Sequence, residues 1–252
     1  MTGRDSVPGV QTALAVLLLA GAAAAVAGVT GTGQLRPVVT ATLRATAQLA
    51  AVGVVIVVVF RTPALAPLYL LVMLSVAAWT SGRRLGGGRR AFLASATAVA
   101  AGAFVAVGVV LATGALPVAA RTAVPFAAQL VGGSMTATTL AGQRLLDDVA
   151  AGWDQVEGWL ALGATSTQAV RPMARTAAAR ALVPAIDQTR NVGLVVLPGA
   201  YVGLLLGGAS PVQAGRVQLL VLIGLLAAEA VAAAVITHLL ALHVGVRRPP
   251  TS

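Results

Sequence analysis

One acid, Glu229, stands alone near the middle of the apolar run Val217–Leu242. An ionisable side chain inside such a run is expensive in a bilayer and is a functional candidate for that reason. It can carry a proton, bind a cation, or pair with an arginine such as Arg44. Besides Glu229 the apolar runs offer Met73, Met135, Tyr201 and His238, a thin set for a metal centre, which needs several N, O or S ligands. The chain has no cysteine, which excludes disulfides, thiolate metal sites and cysteine nucleophiles. It has no lysine and no Gly-x-x-x-x-Gly-Lys-[Ser/Thr] loop, so it carries no phosphate-cradling nucleotide site of that kind. Serine and threonine are plentiful, but no His and Asp follow them in an order that would build a hydrolase.

A second cluster lies in residues 144–187, with five of the seven acids: Asp147, Asp148, Asp154, Glu157 and Asp187. Leu145, Val149, Trp153, Val156 and Leu160 recur there at helical spacing and form one apolar stripe. Asp147, Asp148, Asp154 and Gln155 fall largely away from it. Asp154 and Glu157 share one face. A break is expected at Gly163, followed by a helix capped by Thr165 or Ser166, on which Arg171 and Arg175 share a face. A loop of this length is functional or disordered as a rule, and its composition argues for order. An ordinary amphipathic helix lying on the membrane would also explain the stripe. It would not explain the acids, which an anionic leaflet repels.

The elements that hold these residues are set by composition. Hydrophobic residues make up 58% of the 252 residues and charged residues 10%, and mean hydropathy is +0.91. Soluble domains carry about 25% charged residues. Too little polar surface remains to coat a globule, so the fold class is an all-α, polytopic membrane bundle with the lipid bilayer as its solvent. Seven spans are expected: Val10–Val29, Val38–Val59, Pro63–Thr80, Ala91–Ala112, Thr122–Ala141, Gly193–Gly208 and Val217–Leu242. The whole chain is read as one transmembrane domain, residues 1–252, with 144–187 as a cytoplasmic insert between spans five and six. Ala22 to Ala27 resembles a cleavage site. The poor basic n-region (Arg4 offset by Asp5) and the long apolar run favour an uncleaved first helix. Gly132-Gly133 invites close helix contact in span five, and Pro198-Gly199 should kink or unwind span six.

All 17 basic residues are arginine and the net charge is +10. Nucleic acid is not the expected partner, because the arginines sit at the ends of apolar spans. Arg36, Arg83, Arg84, Arg89, Arg90, Arg144, Arg171, Arg175, Arg180, Arg190, Arg247 and Arg248 fall on one side of a seven-span chain. Arg4, Arg61, Arg121 and Arg216 fall on the other. The positive-inside rule then puts the N-terminus outside and the C-terminus in the cytoplasm. His238 and His243 lie near that cytoplasmic end and read as interfacial.

The insert also carries a resemblance. Val156 to Ala164 reads Val-Glu-Gly-Trp-Leu-Ala-Leu-Gly-Ala and is similar to the coupling loop of ABC transporter permeases, with Glu157 six residues before Gly163. Over residues 129–218 the chain resembles the FetB-type permease family. The blocks are Gly132-Gly133-Ser134-Met135, Leu160-Ala161-Leu162-Gly163-Ala164, Arg171-Pro172, Pro184-Ala185-Ile186-Asp187, Val192 through Gly199, Gly203, Gly208 and Ser210-Pro211. Upstream, Arg44 and Gln48-Leu49 match a feature of the second span. Departures stand at Gly133 and Asp187, where that family usually has Asn. Ala200-Tyr201-Val202-Gly203-Leu204 replaces its usual Met-Met-Thr-Gly-Gln.

The resemblance implies a non-enzymatic permease subunit in a bacterial inner membrane, associated with metal-ion export, with plant relatives linked to aluminium tolerance. The chain itself would hold no cofactor; ATP and Mg would sit in a partner ABC ATPase, with the permease as a homodimer. Asp154, Glu157, Leu160, Leu162, Gly163 and Ala164 would contact the ATPase. Ser134, Met135, Pro198, Gly199, Tyr201 and Glu229 would line the substrate pathway. Two other functions fit the residues: a proton-coupled secondary transporter using Glu229, and a non-transporting membrane scaffold.

Overall fold

The structure, a computed structural model, describes residues 9–242; Arg4, Asp5, His243, Arg247 and Arg248 lie outside the described residues. Regular structure among these residues is helical, and the chain divides into two units at Thr62 and Pro63.

The first unit is a hairpin of α1 (Gly9–Val29) and α2 (Leu35–Arg61), reversed at Gly31 (φ 62°) and Gly33 (φ 70°). Left-handed backbone of this kind suits glycine, which has no Cβ to clash. Both helices are long and strongly apolar, yet few of their side chains are covered. An apolar surface of this extent is suited to lipid tails or to another protein. Thr40, Thr42 and Thr46 on α2 turn their hydroxyls back to carbonyls one turn earlier, so none is left unsatisfied.

The second unit contains α3 (Ala66–Arg84), α4 (Gly88–Ala112), α5 (Ala120–Ala151), α6 (Trp153–Ala161), α7 (Ser166–Asn191), α8 (Gly199–Leu206) and α9 (Pro211–Ala241). Helix α9 is central and packs against α4, α5 and α7. Small residues permit this: Ala98, Ala141, Ala228, Ala232 and Ala233 are fully buried. Between apolar helices in lipid there is little hydrophobic drive, so close van der Waals approach must supply the association.

The order of contacts along the helices shows which ends meet. Leu85, just after α3, packs against Gly142 of α5; a Cβ built there would lie 2.7 Å from Leu85 and 3.3 Å from Leu240 of α9. Phe126 near the start of α5 instead meets Gly224 of α9. The α3–α4 turn, the C-terminal part of α5 and the C-terminus of α9 therefore share one end, which also carries α6. Arg83, Arg84, Arg89 and Arg90 lie there, as do Arg144, Arg171 and Arg175, while Arg121 and Arg216 start α5 and α9 at the other end.

Two expectations need correction. The segment Gly193–Gly208 is not a continuous span. Helix α7 stops at Asn191, Gly193 adopts φ 80°, and Pro198 caps the eight-residue α8. Eight residues rise only about 12 Å. The chain is unwound ahead of Pro198-Gly199, one of the two outcomes expected there; Pro198 has no N–H to give, so it starts a helix rather than kinking one. The long helix in this part of the chain is α7, most of which falls within the expected 144–187 insert. Its Val170 is buried in one cluster with Leu145 and Ala241 at the α6 end, its Ala181 is buried in one cluster with Ala141 and Ile236, and Val192 just beyond it lines a cavity with Gln218 of α9. Helix α7 thus runs the length of the unit. It escapes a hydropathy scan because Arg171, Arg175, Arg180 and Arg190 ride on it, while Ala177, Ala181 and Ala185 supply its packing face. Arg190, at its last turn, consequently falls at the end opposite α6, not with the other arginines of the insert.

Five helices among the described residues are long and apolar enough to cross a membrane: α1, α2, α3 with its preceding turn, α4 and α9. Helix α5, which contains the expected fifth span, is not among them. Its 32 residues rise about 48 Å, beyond the roughly 30 Å hydrocarbon core, so part of it must stand clear of lipid.

The N-terminus of α7 is closed by a capping box. Gln168 N–H donates to Thr165 Oγ1 at 3.3 Å, and Thr165 N–H donates to Gln168 Oε1 at 2.8 Å. Thr165→Ala is expected to lower stability by about 1 kcal/mol, seen as a lower midpoint of heat unfolding in detergent, while Thr165→Ser retains the wild-type midpoint.

Candidate functional site

The α6 end presents a short helix on a firm footing. The apolar stripe is real but crosses a break. Helix α5 ends at Gly152, where a Cβ would lie 2.7 Å from Met173 Cε, and the chain turns into α6. Leu145 and Val149 of α5, with Trp153 and Val156 of α6, are buried together against Ala169 and Val170 of α7. Leu160 is half-buried and packs on this cluster, so it anchors α6 rather than facing outward.

The outward face carries Asp154, Glu157, Gly158 and Trp159, all exposed. Leu162 is 83% exposed. Helix α6 closes in a paired turn: Gly163 N–H donates to Leu160 O, and Ala164 N–H donates to Trp159 O, both at 3.0 Å. Gly163 has φ 89°, as the residue after the C-cap of such a turn requires. A hollow of about 420 Å³ beside the turn is lined by Trp159, Leu162, Gly163, Ala164, Gln168 and Pro172. Spacing alone does not single out Trp159, Gln168 or Pro172. The local signal was the aromatic beside the Leu-Ala-Leu-Gly run.

The residues expected along a substrate pathway do not form one site. Pro198 and Tyr201 line a cavity of about 400 Å³ at the far end with Gln218, whose buried Oε1 has no hydrogen-bond partner. Gly199 is exposed beside it. Glu229 lies eleven residues along α9 from Gln218, about 16 Å of helix rise. There it is half-buried against Gly133 of α5: a Cβ at Gly133 would stand 2.8 Å from Glu229 Oε1. The carboxylate fills room that a side chain at 133 would need.

Ser134 is fully buried, and a Cβ built at Gly102 of α4 would lie 2.7 Å from its Oγ. Met135 is half-buried against the apolar core. Ser134, Thr138 and Ser95 have buried hydroxyls without a partner, whereas Thr139 donates to Ser81 at 3.0 Å. A polar seam therefore runs inside the second unit. Its sequence signal is the four-residue spacing of Ser134 and Thr138. Among the described residues no group of three or more His, Asp or Glu side chains is placed to hold a metal ion.

Comparison with known proteins gives one family model, UPF0014, described as an uncharacterised protein family, matching residues 10–244. The rice (Oryza sativa subsp. japonica) UPF0014 membrane protein STAR2 is 36% identical over 198 residues, covering 78% of this chain and 70% of its own. The Bacillus subtilis UPF0014 membrane protein YjkA is 31% identical over 209 residues, covering 82% and 84%. The Escherichia coli probable iron export permease protein FetB is 32% identical over 199 residues, covering 78% and 76%. No solved structure matches the chain. The apolar helices, the projecting α6 end and these matches agree, and the chain belongs to the UPF0014 family of membrane proteins.

Proposed function

We propose that the chain is the permease subunit of an ATP-driven ABC transporter that exports a metal ion or another small solute from a bacterial cell. The observation that carries this reading is the α6 end. A nine-residue helix is anchored by Trp153 and Val156 and closed at Gly163, and it offers Asp154, Glu157, Trp159 and Leu162 outward. A rigid knob of mixed apolar and acidic character suits a groove on an ATPase. ATP and Mg belong to that partner, and two copies of each subunit form the working assembly. The permease named among the relatives supports the class, and its printed substrate, iron, makes Fe2+ the first cargo to test.

Arginine crowding at the α6 end supports a cytoplasmic location for that end at the inner membrane. In this reading α1, α2, α3, α4, α5, α7 and α9 are the crossings, with the N-terminus outside and the C-terminus inside. Nucleotide-driven closure of the ATPases would move α6, and with it α5 and α7, rocking the bundle between two states.

Glu229 favours a second reading, since a half-buried acid on an apolar helix can carry a proton. One experiment separates the two. The chain is reconstituted into liposomes with and without an ABC ATPase of the same cell, and ATP turnover and Fe2+ flux are followed. The expected result is at least tenfold stimulation of ATP turnover, a lowering of the barrier by about 1.4 kcal/mol, and flux that needs both subunits. Flux by the chain alone, driven by a pH gradient and lost in Glu229→Gln, would replace the ATP-driven reading with the proton-driven one.

A further inference from the structure

Helices α7 and α9 leave a groove of about 280 Å³ at the α6 end. Arg171 and Arg175, one turn apart on α7, line it from one side, and His238 and Thr237 line it from α9. Thr167, in the first turn of α7, completes its polar part. No carboxylate is among the lining residues. The pairing of Arg171 and Arg175 on one helix face is thus put to a use that the coupling element does not share: Asp154 and Glu157 face out from α6, not into this groove.

We infer that the groove binds the phosphate of an anionic phospholipid headgroup. Three observations carry it. The first is charge: two arginines and a histidine line one small space, and a guanidinium fork matches phosphate oxygens in a bidentate way. The second is depth. Arg171 and Arg175 lie five and nine residues into α7, about 8 and 14 Å of rise from its start. On a membrane-spanning helix, arginines within the first few turns extend their side chains toward the headgroup layer, where an anion balances their charge. The third is the wall. Ala174, Ala178 and Ala234 continue the groove as a smooth apolar surface. Free phosphate has no use for such a wall, whereas the glycerol and first methylenes of a lipid do. Basic pockets between membrane helices on the cytoplasmic side recognise anionic headgroups in this way.

The test uses the full chain in neutral detergent and native mass spectrometry. Phosphatidylglycerol, phosphatidylcholine and inorganic phosphate are the probes. Wild type is expected to retain phosphatidylglycerol in preference to phosphatidylcholine. Arg171→Gln with Arg175→Gln should weaken retention by about thirtyfold, the loss of two arginine contributions at an anionic surface. Arg83→Gln with Arg84→Gln, at the same end but outside the groove, should leave it unchanged. Should the glutamine pair fail to fold by size exclusion, Arg171→Lys with Arg175→Lys decides: retained charge without the fork should weaken binding severalfold. Equal retention of phosphatidylcholine, indifference to the groove variants, or displacement by inorganic phosphate at matching concentration would overturn the lipid assignment. Because the readout is binding and not turnover, its failure leaves the permease reading standing.

Discussion

Gly102→Ala is expected to destabilise the second unit by about 3 kcal/mol, at the upper end of ordinary overpacking costs. A Cβ at this position would press on the Ala228 carbonyl oxygen of α9 and lie 2.7 Å from Ser134 Oγ and 3.1 Å from Ala232 Cβ. The Ala228 contact is backbone, so no rotamer change relieves it. Helices α4, α5 and α9 meet at this point, and relief requires α4 to move away from both partners. Part of the polar seam at Ser134 would open with it. The measurement is the heat-unfolding midpoint of the purified chain in detergent, followed by size exclusion. Gly108→Ala on the same helix is the control. Nothing lies within 4 Å of its Cβ, and Ala is the better helix former, so its midpoint should hold or rise. Equal midpoints for the two variants would show that the three-helix contact is looser than described.

The second large effect concerns α6. Leu162→Asp is expected to weaken binding of the ATPase subunit by roughly thirtyfold or more, the size of a hot-spot loss. Leu162 is 83% exposed, so the change leaves the fold alone and places a charge where an apolar contact is proposed. Glu157→Arg, one face over, should act in the same direction by reversing charge. Gly163→Pro should abolish binding through geometry: Pro fixes φ near −65°, whereas Gly163 sits at 89° and holds the turn from Leu160 to Ala164. The affinity of the purified subunits in detergent is the readout. Leu194→Asp serves as control, being 88% exposed at the opposite end of the unit. If Leu162→Asp binds like wild type, or if Leu194→Asp weakens binding equally, α6 is not the contact.

Much of the candidate site was legible from spacing because helices impose it. Leu145, Val149, Trp153 and Val156 share one buried cluster even though Gly152 interrupts the helix, since the turn keeps their faces aligned. Thr165 caps α7, and Gly163 carries the left-handed turn before it. The apolar stripe already set Leu160 apart from Leu162, two residues on. Their separation into an anchor and an exposed contact depends on α7 lying on one side of α6.

Composition and period settled what a bilayer demands: an all-α chain, apolar helices of sufficient length, and arginines crowded toward one end. These follow from local physics, because every backbone group in lipid must be satisfied within its own helix. Tertiary packing alone decided that α7, not 193–208, runs the length of the second unit. An arginine-bearing helix reads as a surface element until Ala177, Ala181 and Ala185 are seen against α5 and α9. It also decided that Tyr201, Ser134 and Glu229 stand at separate positions, and that Arg171 and Arg175 line one groove with His238. Such pairings join residues far apart in the chain, and which faces meet depends on where small side chains let helices approach.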